Sequence, residues 1–293
     1  MPPFPVVRAL STGRDSARFE PACPTGNVGP MTNGGAKAFF SQNGEVFIGN
    51  DPARSPWDPA SCHAGPPAGL IARAQERLLR EHRLVRLAVN LQRPIPIDGF
   101  TVSAEVVKAG ANAGTSRATL VGIDGRTCAV AEGLHLRPSV QEPMPTPTVD
   151  SPEFESATSA PFPITSGFHD QPMFGNAVEA RYPPGESSEP GPTTLWLRTP
   201  PLLGDETPSP FQRLCPLADS GNAISRNAEL CDVTFVNADL IVSMHRSPSG
   251  EWFGSRAVSH WHPDGIGMAD AELFDRFGPV GRATQTLLLR RAS

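Results

Sequence analysis

The pattern of apolar and polar residues predicts one amphipathic helix and four strands in the first half of the chain. Residues 63–82, HAGPPAGLIARAQERLLREH, place two prolines where a first helical turn tolerates them, and apolar residues then recur at helical spacing: Leu70, Ile71, Ala74, Leu78 and Leu79. Four segments rich in β-branched residues follow, at 84–97, 101–110, 116–124 and 127–137. This order predicts an antiparallel sheet wrapped on one helix.

The second half shows the same order of elements, with strands before its helix as well. Strand patterns occur at 177–185 and 193–201 before a helical pattern at 208–225, and four more follow at 233–246, 251–263, 265–275 and 280–291. The helix contains Pro216, which removes one backbone hydrogen bond at a cost of about 3 kcal/mol. We therefore expect a kink or a delayed helix start near Pro216.

The two halves share a weak internal repeat. Segment 84–137 is similar to segment 237–290, because Arg93 and Arg246 lie 153 residues apart, as do Arg137 and Arg290. Two copies of one unit indicate two similar halves packed about a pseudo-twofold axis. A functional site is then expected at their junction.

Proline-rich sequence separates the two copies. Residues 143–172 are poor at both helix and sheet hydrogen bonding and are typical of an extended linker. The expected organisation is a flexible N-terminal extension at 1–37, an N-terminal unit at 38–140, a linker at 141–173 and a C-terminal unit at 174–293. Met31 is a candidate second start.

Composition restricts the classes of partner and the compartment. The net charge of −5 is spread along the chain, so neither a nucleic-acid footprint nor a polybasic membrane patch is expected, and an anionic ligand requires a local site. Five cysteines are scattered without a CxxC pair, which favours a reducing cytoplasm over a disulfide framework. No apolar run approaches the roughly 20 residues of a membrane span, and the N-terminus lacks a signal-peptide core.

Four motifs carry a resemblance to a known family. They are SPWDPASCHAGPPAGLIARAQER (55–77), PSPFQRLCPLADSGNAIS (208–225), DVTFVNADLIVSMHR (232–246) and GPVGRATQTLLLR (278–290). Together they resemble the type II acyl-CoA thioesterases, in the thioesterase-like branch, over residues 39–290 apart from the linker. The resemblance implies an α+β double hotdog: two antiparallel sheets, each wrapped around a central helix, joined as a pseudo-dimer. Ala64 departs from the pattern, since the family usually has a glycine there.

The resemblance also implies the chemistry. The family hydrolyses acyl-CoA to a carboxylic acid and free CoA, using a water held by an aspartate, a glutamine and a small hydroxyl or amide side chain. These positions match Asp219, Gln285 and Asn237, with Thr234 as a substitute for the third. No cofactor is implied, and association into a homo-oligomer stays open.

Physical chemistry offers plainer alternatives for the two main residues. Asp219 follows a core-facing segment, so burial would raise its proton affinity towards that of a usable base; otherwise it caps a helix or faces solvent. Gln285 lies inside an apolar strand, where an unpaired amide is costly, so it requires a partner. Glu132 is its counterpart in the repeat, and we expect Glu132 on a solvent face.

Oxyanion donors are expected at the start of the first helix, where the helix dipole favours negative charge. Pro66 and Pro67 have no N–H, which leaves the amides of Ala64, Gly65 and Ala68. We favour Gly65, because glycine permits close approach of a ligand. His63 and Ala64 complete the predicted substrate-binding set.

Two other functions remain open at this stage. Asp58 and His63 have the Asp-x4-His spacing of hotdog enoyl-CoA hydratases, although the surrounding residues fit the thioesterases better. A non-catalytic acyl-CoA-binding hotdog protein is the other, and the presence of Asp219 and Gln285 argues against it.

Histidine and arginine patterns carry no further assignment. His260 and His262 share one face of a strand, but no third ligand is evident, so we expect no metal. Arginine suits the phosphates of CoA, and the candidates are Arg93, Arg246, Arg290 and Arg291. Surface arginines are common, so none is assigned as a binding residue.

Overall fold

The computed structural model describes residues 38–291, which contain a large antiparallel sheet and four helices. The helices are α1 (Gly65–Glu76), α2 (Phe174–Ala177), α3 (Pro210–Ala218) and α4 (Gly221–Ile224), besides a 3-10 turn at Asp51–Ala53. The strands of the first half are β1 (Phe40–Asn43), β2 (Val46–Gly49), β3 (Arg83–Leu91), β4 (Phe100–Ala109), β5 (Ala113–Gly122) and β6 (Thr127–Leu136). The remaining strands are β7 (Thr158–Ala160), β8 (Glu179–Tyr182), β9 (Thr193–Arg198), β10 (Val233–Asn237), β11 (Asp239–Met244), β12 (Phe253–Trp261), β13 (Ile266–Asp275) and β14 (Gly278–Arg291).

The internal repeat is visible in the strand boundaries. Strand β4 begins at Phe100 and β12 at Phe253, which are 153 residues apart. Strands β5 and β13 are offset by 153 residues at both of their ends. The offset read from four arginines therefore describes the strand core of both halves.

The halves meet in one continuous sheet rather than in the two separate sheets that we expected. Its strand order is β1-β2-β4-β5-β6-β3-β11-β14-β13-β12-β9-β8-β7, with β10 paired to β14. Strands β3 and β11 form the junction, where Ala88 pairs with Ile241, its own counterpart 153 residues later. Backbone hydrogen bonds across this junction satisfy edges that two separate sheets would leave unpaired.

The strand predicted at 233–246 is interrupted at Ala238. Strand β10 pairs with the end of β14, whereas β11 pairs with both β14 and β3. At the interruption, Ala238 N–H donates to the Thr286 carbonyl and the Ala238 carbonyl accepts from Leu91. Asn237 consequently lies at the end of a strand, beside the helices.

Helices α1 and α3 pack closely and run in opposite directions. Gly65 and Gly69 form a small-residue face on α1, and a Cβ at Gly69 would lie 3.0 Å from the Gln212 carbonyl oxygen. At the other end, the Glu76 carboxylate accepts hydrogen bonds from Ser209 Oγ and Gln212 Nε2. Ser209 also caps α3 by accepting the Gln212 backbone N–H.

The break in the second-half helix does not lie at Pro216, as we expected, but three residues later. Pro216 is inside α3, and the helix ends at Ala218 before α4 starts at Gly221. The expectation was wrong because the break depends on what caps the carbonyls after it: side chains from two strands hydrogen-bond to the Asp219 carbonyl.

Part of the segment predicted as a linker is built into the fold. Strand β7 pairs with β8 at the end of the sheet, and Phe162, Ile164 and Met173 are buried. We call residues 162–175 the strap. It is hydrogen-bonded along its length to residues 54–56, so it is a fixed connection rather than a free linker.

Other expectations concern the chain as a whole. The N-terminal extension at 1–37 lies outside the described residues. No helix within 38–291 is long and apolar enough to cross a membrane. Cys62, Cys128, Cys215 and Cys231 are free thiols.

Candidate active site

Asp219 is a buried carboxylate at the break between α3 and α4. It is only 4 % exposed, and its backbone N–H completes the last turn of α3 by donating to the Cys215 carbonyl. The end of the helix leaves the Asp219 carbonyl free for side-chain donors. A charged group is thus held at a rigid position in the core.

Two of the predicted site residues contact Asp219 directly. Asn237 Nδ2, from the end of β10, donates to Asp219 Oδ1 at 2.9 Å. Gln285 Nε2, from β14, donates to the Asp219 carbonyl and lies 3.4 Å from Oδ1. Thr234, the substitute for Asn237, instead donates to the Arg290 carbonyl. The structure therefore brings Asp219, Asn237 and Gln285 together, and it places Thr234 elsewhere.

A network behind the site fixes the orientation of the Gln285 amide. Gln285 is 2 % exposed, and its Oε1 accepts the Asn222 backbone N–H at 3.0 Å. The Asn222 side chain in turn accepts hydrogen bonds from Ser259 Oγ and Trp261 Nε1. With Oε1 occupied, the Gln285 NH2 group must face Asp219.

His63 lies on the other side of the Asp219 carboxylate. Its Nδ1 is 3.2 Å from Asp219 Oδ2, and its ring stacks on Phe174 with centroids 4.1 Å apart. The sequence analysis placed His63 near the substrate but missed this contact, because nothing local links residues 156 positions apart. The contact occurs because the start of α1 packs against the end of α3.

Burial shifts the pKa values of this pair in opposite directions. It raises the pKa of Asp219, and the nearby His63 is the largest of the influences that lower it again, followed by the hydrogen bonds from Asn237 and Gln285. Burial also lowers the pKa of His63, against the attraction of Asp219. Both groups are therefore biased towards their neutral forms, as expected for a base that must accept a proton near neutral pH.

Gly65 does not occupy the position predicted for it. A Cβ at Gly65 would lie 2.8 Å from Pro216 Cα and 3.0 Å from Asp219 Cβ, so its small size serves helix packing rather than ligand approach. Its N–H lies 3.3 Å from His63 Nδ1 and also hydrogen-bonds to the Asp219 carboxylate. That expectation was wrong because the helix start is covered by α3.

Asp219 and Asn237 face a cavity of about 320 Å³ at the junction of the two halves. The first half contributes its 55–64 loop, including His63 and Ala64, and residues 91–95; the strap contributes Phe162, Ile164, Met173, Phe174 and Gly175. Asn237 Oδ1 is buried without a hydrogen-bond partner among the described residues. The cavity is therefore mainly apolar, with an acceptor available beside a carboxylate.

The Asp58–His63 pair is separated in the structure. Asp58 is exposed, and its carboxylate accepts the Ala60 backbone N–H at 2.9 Å. His63 is paired with Asp219 instead. This geometry removes the observation that favoured hydratase chemistry.

The remaining charged candidates lie outside the polar cluster. Glu132 is exposed as predicted and pairs with Arg117. Arg93 lines the cavity and donates to the Thr127 carbonyl, while Arg246 is paired with the buried Asp275. His262 is exposed beside Asp264. Within 38–291 no group of three His, Cys, Asp or Glu side chains is arranged to hold a metal ion.

Comparison with solved structures gives the same architecture. A putative thioesterase from Novosphingobium aromaticivorans is 18% identical with a TM-score of 0.69, covering 86% of this chain and 98% of its own. A hot dog fold protein from Alicyclobacillus acidocaldarius is 17% identical with a TM-score of 0.65, covering 87% and 96%. The acyl-CoA thioesterase II of Mycobacterium marinum is 16% identical with a TM-score of 0.56, covering 88% and 96%. At these identities the likeness concerns the fold.

Comparison with protein families gives the activity class. A search of curated protein sequences found no match. The family profile for the acyl-CoA thioesterase N-terminal domain matches residues 53–135, and that for the acyl-CoA thioesterase C-terminal domain matches residues 147–289. The chain is a thioester hydrolase that belongs to the acyl-CoA thioesterase family.

Proposed function

We propose that this chain hydrolyses acyl-CoA with a water activated by Asp219 and oriented by Asn237. The observation that carries the proposal is a buried carboxylate at the polar end of an apolar cavity, with Asn237 Oδ1 available beside it. Asp219 accepts a proton from the water while the water oxygen attacks the thioester carbonyl. Collapse of the tetrahedral intermediate breaks the C–S bond, and the CoA thiolate takes up a proton.

Gln285 acts in this proposal through Asp219. Its amide donates to the Asp219 carbonyl and faces Oδ1, and its oxygen is occupied by Asn222. Locking the rotamer of a buried base is a positioning role that preorganises the site. The direct contact with water implied by the resemblance is therefore assigned to Asn237.

The oxyanion donor in this proposal is Ala64 rather than Gly65. Of the three amides considered, Gly65 N–H is directed at His63 and Asp219, and Ala68 N–H donates to the Ala64 carbonyl at 3.0 Å. Ala64 lines the cavity and directly precedes α1. The positive end of the helix dipole favours a developing negative charge there.

We also propose the finer organisation of the enzyme. Residues 38–140 and 174–293 form two hotdog units joined as a pseudo-dimer, supported by the symmetric pairing about Ala88 and Ile241. The proposed setting is cytoplasmic lipid metabolism with acyl-CoA as the substrate, supported by the four free thiols of the described chain. Further association into a homo-oligomer stays open.

Thiol release from a panel of acyl-CoAs tests the proposal. Acetyl-, butyryl-, octanoyl-, palmitoyl- and benzoyl-CoA are each mixed with the parent protein, and we expect CoA release from at least one of them. The Asp58→Asn variant should keep its rate within about twofold, because an exposed carboxylate contributes little to a buried site. Failure to cleave any thioester, with Asp58-dependent hydration of an enoyl-CoA or with binding alone, would overturn the proposal.

The pH profile tests the assignment of Asp219 as the base. Because the base acts as a carboxylate and burial raises its pKa, kcat/KM should fall on acidification with a midpoint above the ordinary carboxyl value of about 3.9. His63→Leu removes a neighbour that lowers this pKa, so the midpoint should move to higher pH. His63→Asn keeps a polar group near the Nδ1 position, so its midpoint should move less. Complete loss of activity in His63→Leu at every pH would instead identify His63 as the base.

A further inference from the structure

We propose that the strap closes the acyl end of the cavity and restricts the enzyme to acyl chains shorter than those of common long-chain fatty acids. This inference rests on the proposed function. It concerns Phe162, Ile164 and Met173, which the catalytic proposal does not use.

The cavity has an exposed end and a buried end. Asp58, Gln92, Arg93 and Val236 line it and are exposed, so this end opens to solvent. The strap residues Phe162, Ile164 and Met173 line it and are 4 %, 5 % and 1 % exposed. A CoA thioester whose bulky polar part remains at the open end therefore directs its acyl chain towards the strap.

A series of stacked rings leads from the base to the strap. His63, which contacts Asp219, stacks on Phe174, and the Phe162 ring meets Phe174 edge-on with centroids 5.6 Å apart. Phe162 is thus one ring further from Asp219 than Phe174. A growing acyl chain meets Phe174 first and Phe162 next.

The strap is too firmly attached to yield to a longer chain. Phe168 N–H donates to the Pro56 carbonyl, Phe174 N–H donates to the Arg54 carbonyl, and Arg54 Nε donates to the Pro172 carbonyl. A Cβ at Gly175 would lie 1.8 Å from the Ile164 carbonyl oxygen, so the strap crosses itself at backbone contact. Close packing of this kind resists local expansion.

The size of the cavity limits the substrate. Its volume of about 320 Å³ must hold the thioester group and the attacking water as well as the acyl chain. Pockets for small molecules range from about 300 to 1,000 Å³, so this one lies near the lower limit. Butyryl to octanoyl chains are the expected substrates, and palmitoyl-CoA is expected to be poor.

Removing the Phe162 ring tests the inference. Each further methylene that becomes buried is worth about fourfold in binding. Phe162→Ala should therefore raise the ratio of kcat/KM for decanoyl-CoA to that for butyryl-CoA by about tenfold or more. Phe154→Ala is the matched control, because Phe154 belongs to the same predicted linker but packs against Trp196 and Trp252 away from the cavity. The control should leave the ratio unchanged.

Two further variants keep the test decisive if Phe162→Ala does not fold. Phe162→Leu should raise the same ratio by a smaller factor, and Ile164→Phe should lower it by narrowing the buried end. Folded, active variants whose ratio stays within about twofold of the parent would overturn this inference and leave the proposed function intact. No hydrolysis of any acyl-CoA by the parent would overturn both.

Discussion

Asp219→Asn should reduce kcat/KM for the best acyl-CoA substrate about a thousandfold or more while leaving the fold intact, because general-base catalysis typically contributes about 10² to 10⁴. The new side chain has the same shape. Its amide oxygen can accept from Asn237 Nδ2 in place of Asp219 Oδ1, and its NH2 group can face His63 Nδ1. It cannot accept a proton from water. Thiol release and thermal unfolding of the same preparation measure the two effects.

A remote Asp→Asn change is the control for this variant. Asp264 is exposed beside His262 in the turn between β12 and β13, far from the cavity-lining residues. Asp264→Asn should keep parental activity. If Asp219→Asn retained more than about a tenth of the parental kcat/KM, another group would have to be the base.

Gly65→Ala should reduce both stability and activity. The new Cβ would lie 2.8 Å from Pro216 Cα, 3.0 Å from Asp219 Cβ and 3.1 Å from the Cys215 carbonyl oxygen. Backbone atoms of α3 must move to relieve this, at a cost of about 1–3 kcal/mol in the free energy of unfolding. Because the shift carries Asp219 with it, kcat/KM should fall about a hundredfold.

Gly204→Ala is the matched control for Gly65→Ala. At Gly204 the nearest atom to a new Cβ is that of Ala38, at 4.0 Å, so the change adds a methyl group without a clash. Melting temperature and kcat/KM should both stay near the parental values. A Gly65→Ala protein with parental stability and activity would show that α1 and α3 have room to separate.

Local sequence was sufficient for the elements of regular structure. Segment 116–124 alternates small and apolar residues and ends in a turn, and it corresponds to β5; the pattern at 265–275 corresponds to β13. Strand alternation and turn chemistry act over a few residues, so they are readable without knowledge of the fold. The repeat offset adds that these two strands are equivalent.

The helix break illustrates the limit of local rules. Proline chemistry alone predicted a kink near Pro216, yet the break follows Asp219. The side chains that stabilise it, from Asn237 and Gln285, come from strands 18 and 66 residues away. Tertiary contacts of this kind override the preference of a single residue.

The candidate site shows the same division. The resemblance supplied Asp219, Gln285 and Asn237, and their mutual contacts agree with a shared site. It did not supply the His63 contact or the orientation of Gln285 by Asn222. Those depend on how α1 meets α3 and how α4 meets β14, which no sequence spacing expresses.

The sequence by itself determined that the chain contains two similar α+β halves, where their strands lie, and which family they resemble, because alternation, turns and motifs are local properties. Only the tertiary structure decided that the halves share one sheet through β3 and β11, that Gly65 serves helix packing, and that the strap closes the cavity. The physical reason is that pairing, burial and steric fit depend on residues far apart in the chain, and burial of Asp219 among them raises its pKa.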